Sequence, residues 1–290
     1  MESLDRRFES ALSDNRANLL QLIPMPTSTV TITAPELLNC RLKLERATQL
    51  YNQLNGLIGQ FIDTKPYGLS FQTDMKASEL RFAISIREDP PIGLGLFIGD
   101  VVHNLATCLD HLVCALALKN GKHCEQTMFP MQTDPVRFKQ NGSRWIKDLA
   151  PPAQAKIESL QPFNTDPREP GQSMLAVLWE LDRSDKHRLV HVGMTSMQPG
   201  ADMKFSYPTR SGANIIPEGR FPGPFADGDI VARFRCVGVS PVEVNVEGNM
   251  VFTVGFGTES GTATGKVVAD LLEKLWHRVA EIVVDFDSMF

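Results

Sequence analysis

The sequence predicts an α+β fold, with a helical bundle core carrying an inserted β-hairpin, then an antiparallel sheet, then a carboxyl-terminal helix that returns to the bundle. Three observations predict it. Apolar residues recur at helical spacing over 35–61, 93–119 and 264–286. Apolar and polar residues alternate over 67–73 and 79–87. Between about 201 and 256, Val- and Phe-rich runs are separated by Gly-Pro clusters. Four parts follow: an amino-terminal helix and linker (1–34), the helical core with its hairpin (35–193), the β region (194–262) and the closing helix (263–290).

Taken in order, 1–22 reads as a short amphipathic helix ended by Pro24 and Pro26. Pro35 opens a longer helix to about Phe61, its apolar face supplied by Leu37, Leu44, Leu50, Tyr51, Leu54 and Ile58 among others. The hairpin follows, and then the most polar-studded helix of the chain, 93–119. After an irregular stretch, a helix is expected over 134–149, a proline-started one over 152–160 and another over 173–192. On the last of these, Glu180, Ser184, His187 and His191 follow the spacing of one helix face. Strands are expected at 203–207, 230–236, 242–246 and 250–256, with turns such as Phe221-Pro222-Gly223-Pro224 between them. The closing helix, 264–286, shows a wide apolar face that includes Val268, Leu271, Leu272, Leu275, Val279 and Ile282. The glycine-rich stretch before it lacks the Gly-Lys-Ser/Thr ending of a phosphate loop, since Gly265-Lys266 is followed by Val267; it reads as a strand end and helix cap.

Composition narrows the function classes. With 290 residues, 42% of them hydrophobic, the chain has enough apolar content for a sizeable core. A formal net charge of -5 argues against a protein that coats nucleic acid by bulk electrostatics, while a local basic pocket stays compatible with it. The five cysteines, Cys40, Cys108, Cys114, Cys124 and Cys236, contain no Cys-x-x-Cys pair and are expected to be reduced thiols. The first sixteen residues are charged and lack the apolar core of a signal peptide. No run approaches the roughly 20 apolar residues of a membrane span, so a soluble, cytoplasmic protein with no membrane partner is expected.

Chemistry concentrates in the helix 93–119. Its stripe is Ile98, Val102, Leu105, Leu109, Leu112 and Leu116. At about 100° per residue, Asn104 and His111 project from one edge of that stripe, and His103, Ala106 and Asp110 from the other. A second cluster, Asp185-Lys186-His187-Arg188, sits downstream. As a structural feature it is a solvated helix end whose cations suit the carboxyl-terminal dipole; as a functional one it is a phosphate-facing patch.

Gly99-Asp100, His103-Asn104-Leu105, Leu109-Asp110-His111-Leu112, Phe129-Pro130, Gln161-Pro162-Phe163 and Asp185-Lys186-His187-Arg188 together resemble a bacterial family with a Gly-Asp-x-x-His-Asn-Leu-Arg helix, a Gln-Pro-aromatic and an Asp-Lys-His-Arg segment. The likeness covers roughly residues 93 to 192 and departs at Ala106, where that family carries arginine. An arginine there would complete an Arg, four variable residues, His pattern ending at His111, which is similar to the signature of HEPN-superfamily ribonucleases. The resemblance implies a mostly helical, commonly dimeric protein that cuts RNA without a metal or other cofactor, as a toxin or anti-phage defence effector with an antitoxin or defence partner. On that reading His111, Asn104 and Asp110 are catalytic with position 106, and His103, Lys186, His187 and Arg188 bind substrate.

The residue types suit the chemistry. Internal transfer needs a group to take the 2′-hydroxyl proton and a cation to steady the phosphorane. Histidine, with an unperturbed pKa near 6.5, suits the first, and arginine's planar guanidinium the second. Alanine supplies no charge, so this chain is expected to be nearly inactive. Positions 106 and 111 lie about 140° apart on a straight helix, so a shared site across a two-fold axis is expected to bring them together in a homodimer. Two further readings remain open at this stage: a non-catalytic binding or regulatory homodimer on the same scaffold, and a metal-dependent hydrolase using His103, Asp110 and His187.

Overall fold

A computed structural model describes residues 31–220 and 223–290; the helix expected at 1–22 and the turn residues Phe221 and Pro222 lie outside the described residues. The fold is mixed α+β with antiparallel sheets. Pro35 starts a 3-10 turn, Pro35–Leu37, that feeds α1 (Leu38–Asp63). Strands β1 (Tyr67–Asp74) and β2 (Glu79–Ile86) form the expected hairpin, and Asp74 Oδ1 accepts the N–H groups of Lys76 and Ala77 in its turn. Next come α2 (Leu94–Lys119), α3 (Pro151–Ser159), α4 (Met174–Asp185), β3 (Val192–Ser206), β4 (Asn214–Arg220), β5 (Ile230–Val237), β6 (Asn245–Phe256) and α5 (Val268–Asp287).

Helix α2 is the centre of the core. All six stripe residues are at most 5% exposed, and Val101, Cys108 and Val113 are buried beside them. Burial of each such side chain contributes about 1.5–3 kcal/mol. By length and composition this helix is apolar enough to cross a membrane, which corrects the sequence expectation; packed against α1, α4 and α5, it is largely buried within its own chain. At its end Gly121 takes a φ of 69° and Lys122 N donates to Ala117 O, so the chain reverses. The reversal carries Cys124 back to Cys114 with their Cα atoms 4.8 Å apart, and the two form a disulfide. That corrects the reading of five reduced thiols; Cys40, Cys108 and Cys236 are free and buried.

Strand pairing is non-local. The four-stranded sheet runs β1-β2-β5-β4, so the hairpin is hydrogen-bonded to a strand from the carboxyl-terminal half, and β3 pairs with β6 in a separate ribbon. Within the four-stranded sheet Phe82 contacts Phe71 and Phe234, and the ribbon packs on it through Phe205 against Phe234 and Phe252 against Tyr67. Strand β4 escaped the sequence reading because Pro217 and Gly219 interrupt it; as an edge strand it tolerates a residue without an N–H.

Four sequence boundaries move for physical reasons. The helix expected over 134–149 begins after Asp134, which caps Val136 N, and passes through a π-helical turn, Phe138–Gly142, before ending at Trp145. There the Phe138 ring lies so close over Gly142 that a Cβ would meet it at 2.8 Å. The helix expected to reach 192 stops at Asp185, since Leu189 and Val190 are drawn onto Gly95 of α2. The strand expected at 242–246 starts instead as a 3-10 turn, Pro241–Glu243, closed by a Ser240–Glu243 capping box. The closing helix begins at Val268, after a 3-10 turn at Gly261–Ala263 and a positive φ at Gly265.

Candidate functional site

Helix α2 holds the motif residues, and its neighbours separate them into two rims as the helical wheel predicts. The first rim lies on the seam with α1. Lys43 Nζ donates to Asn104 Oδ1 at 3.2 Å, and Asn104 Nδ2 donates to the Asp100 carbonyl at 2.8 Å. His111 is hydrogen-bonded to the Asn39 backbone, while its Nδ1 is buried with no partner among the described residues. Burial, with the Lys43 charge second, pulls the His111 imidazole below the ordinary histidine range against the pull of the Asn39 bond. In this arrangement the buried Nδ1 is not offered to a substrate.

The second rim lies on the seam with α4. His103 Nδ1 sits 3.3 Å from Asp182 Oδ1, and Lys186 Nζ 2.5 Å from Asp182 Oδ2. Asp110 Oδ1 accepts the Phe129 N–H at 2.8 Å, which fixes the loop after α2. Burial above all, helped by the Asp182 charge, pushes the Asp110 carboxyl up to about 6, against the Phe129 bond and the Lys186 and His103 charges. Asp185 is raised for similar reasons, burial first and then Asp100 and Asp182. Its carboxylate lies on Gly99, where a Cβ would come within 1.9 Å of Oδ1. Gly99 of the motif's Gly-Asp pair therefore serves close packing of α4. Ala106 is 6% exposed and belongs to the hydrophobic core.

The structure thus unites Asn104 with His111 on one side and His103 with Lys186 and Asp182 on the other; it does not unite His111 with Ala106. Arg188 is held outside both rims by two bonds to Glu259, at 2.9 Å to Oε2 and 3.0 Å to the carbonyl, and His187 is exposed. The face expected from Glu180 to His191 is not continuous, because α4 ends at Asp185; Glu180 Oε2 accepts from Thr262 Oγ1 at 2.6 Å, a structural tie. Among the described residues no three His, Cys, Asp or Glu side chains come together as a metal site, which corrects the metal-hydrolase reading of His103, Asp110 and His187. His103 and Asp110 are turned to Asp182 and Phe129, and His187 is past the helix end.

Sequence reasoning missed Lys43, Asn39 and Asp182. The first two lie four apart on α1, a spacing that marks a shared face but cannot say which helix that face meets. A shallow apolar cleft of about 280 Å³, lined by Leu116, Lys119, Ala153 and Met289 among others, lies at the carboxyl end of α2 and holds none of the motif residues. No family model, no curated protein and no solved structure matches this chain.

Proposed function

We propose that this chain is a HEPN-like, metal-independent endoribonuclease scaffold whose cleavage chemistry is disabled at Ala106. One observation carries the reading. Asp110, one helical turn beyond position 106 on the same face, is a desolvated carboxylate with no cation bonded to it among the described residues, Lys186 being taken by Asp182. An arginine at 106, four residues before Asp110 on the helix, would lie within reach of that carboxylate, and 106 is the position at which the resemblance expects it. With alanine there and Lys186 paired to Asp182, position 106 supplies no cation to steady a phosphorane. The role that accompanies this reading is a toxin or anti-phage effector acting on RNA as a homodimer, with an antitoxin or defence partner.

The test is restoration. Ala106→Arg is expected to yield metal-independent RNA cleavage in vitro or growth arrest on expression, rising by about 10²-fold or more over the parent chain and abolished again by His111→Ala. No cleavage from Ala106→Arg, in a protein that folds as the parent does, removes the ribonuclease reading. The homodimer is checked separately by light scattering, where a mass near twice 32.2 kDa is expected.

A second reading, a non-catalytic binding protein on the same scaffold, is favoured by the number of motif groups spent on internal contacts: Asp110 on Phe129, His103 and Lys186 on Asp182, Arg188 on Glu259. It predicts that neither Ala106→Arg nor His111→Ala alters any RNA-directed activity.

A further inference from the structure

The first rim contains a feature that disabled cleavage leaves unexplained. Three cations bear on the reading: Lys186 and Arg188 of the Asp-Lys-His-Arg segment, and Lys43 of α1. Lys186 is neutralised by Asp182 and Arg188 by Glu259, yet Lys43 is half-buried with no carboxylate partner among the described residues. Its ammonium donates to an amide oxygen, Asn104 Oδ1, which fixes the charge without cancelling it. Beside it lies His111, whose buried Nδ1 also lacks a partner. A buried ring nitrogen without a partner is uncommon in a folded protein, where buried polar groups are nearly all satisfied. An ammonium held by an amide oxygen keeps its full charge for an anion to meet.

We propose that Lys43, held by Asn104 on the α1–α2 seam beside His111, is an anion-binding residue that engages a phosphate of RNA. This rests on the RNA reading above and adds to it the group that contacts the backbone: the charge that Ala106 cannot supply on one rim is present on the other, where it serves binding. Lysine acts there as a point charge, suited to a phosphodiester oxygen without a fixed two-point geometry. Asn104 then has a defined task, since the bond from its Nδ2 to the Asp100 carbonyl orients Oδ1 toward Lys43. The motif pair Asn104 and His111 is explained as a support and a neighbour of the bound phosphate.

The experiment uses the full chain, a fluorescein-labelled single-stranded decaribonucleotide read by anisotropy, and inorganic phosphate read through the ring NMR signals of His111. Lys43→Ala is compared with Lys43→Arg and with Lys122→Ala, an exposed lysine beyond the end of α2. Removing Lys43 is expected to weaken RNA binding about tenfold and to lower the steepness of its salt dependence by about one phosphate contact. Lys43→Arg should stay near the parent, Lys122→Ala should change little, and phosphate should move the His111 signals in the parent but not in Lys43→Ala. Unchanged RNA affinity and salt slope in Lys43→Ala would overturn the site while leaving the RNA reading standing. Phosphate bound through Lys43 without RNA binding would keep the anion site and remove the RNA reading. A parent that binds neither would overturn both.

Discussion

At the scale of single residues, Asp110 is where structure and chemistry meet most directly. Its carboxyl titrates near 6, above its ordinary range, chiefly because it is buried. A raised acid binds its proton more tightly folded than unfolded, so folding is favoured below the unfolded pKa and stability falls as pH rises toward 6. At pH 7 that penalty is fully present. Asp110→Asn removes the ionisation and keeps an acceptor for the Phe129 N–H, so it is expected to stabilise the protein at pH 7 by about 2 kcal/mol and to flatten the pH dependence of stability between about 4 and 6. Denaturant unfolding across that range checks it, and an unchanged slope would remove this account of Asp110. Ala106→Arg should lower the same carboxyl toward its ordinary range, read by carboxyl NMR titration.

Among elements, the glycines of the core helices separate close packing from open space. In α2 a Cβ at Gly95 would lie 2.3 Å from the Val190 backbone oxygen, whereas in α1 a Cβ at Gly56 would meet nothing within 4 Å. Alanine favours a helix over glycine by about 1 kcal/mol, so Gly56→Ala should stabilise by roughly that amount. Gly95→Ala has the same propensity gain but forces backbone apart, so it should destabilise by about 1–3 kcal/mol in urea melts. Equal effects at the two sites would contradict the packing of the 186–190 segment on α2. That segment also shows where local pattern fails. The polar spacing from Glu180 to His191 reads as one helix face, yet contact of Leu189 and Val190 with Gly95 turns the chain after Asp185. The stripe of α2 was legible because every third or fourth residue is large and apolar, and the closing helix was legible for the same reason.

For the molecule as a whole, the sheet and the cysteines depend on contacts that no local window contains. Pairing of β2 with β5 joins the hairpin to strands from the other half of the chain, and Pro217 and Gly219 hide the edge strand β4. The Cys114–Cys124 bridge exists because the chain reverses at Gly121; the spacing alone resembles no framework. Closing this loop restricts the unfolded chain, so Cys114→Ser is expected to cost about 2–3 kcal/mol under oxidising conditions and almost nothing under reducing ones. Equal stability of the variant and the parent in both would show the bridge to be idle.

The sequence by itself determined that α2 is a core helix, that its polar residues fall on two rims, and that position 106 has no charge, because helical periodicity and residue chemistry are local properties. Only the tertiary structure decided what each rim faces. Helix α1 brings Lys43 to Asn104 and His111, and α4 brings Asp182 to His103 and Lys186, across separations in sequence that periodicity does not span. A cation's availability depends on which carboxylate lies within bonding distance, and that distance is set by packing of distant helices. The cations that looked free in the Asp-Lys-His-Arg segment are therefore held, Lys186 by Asp182 and Arg188 by Glu259, whereas Lys43 on α1 meets the motif helix through the Asn104 amide.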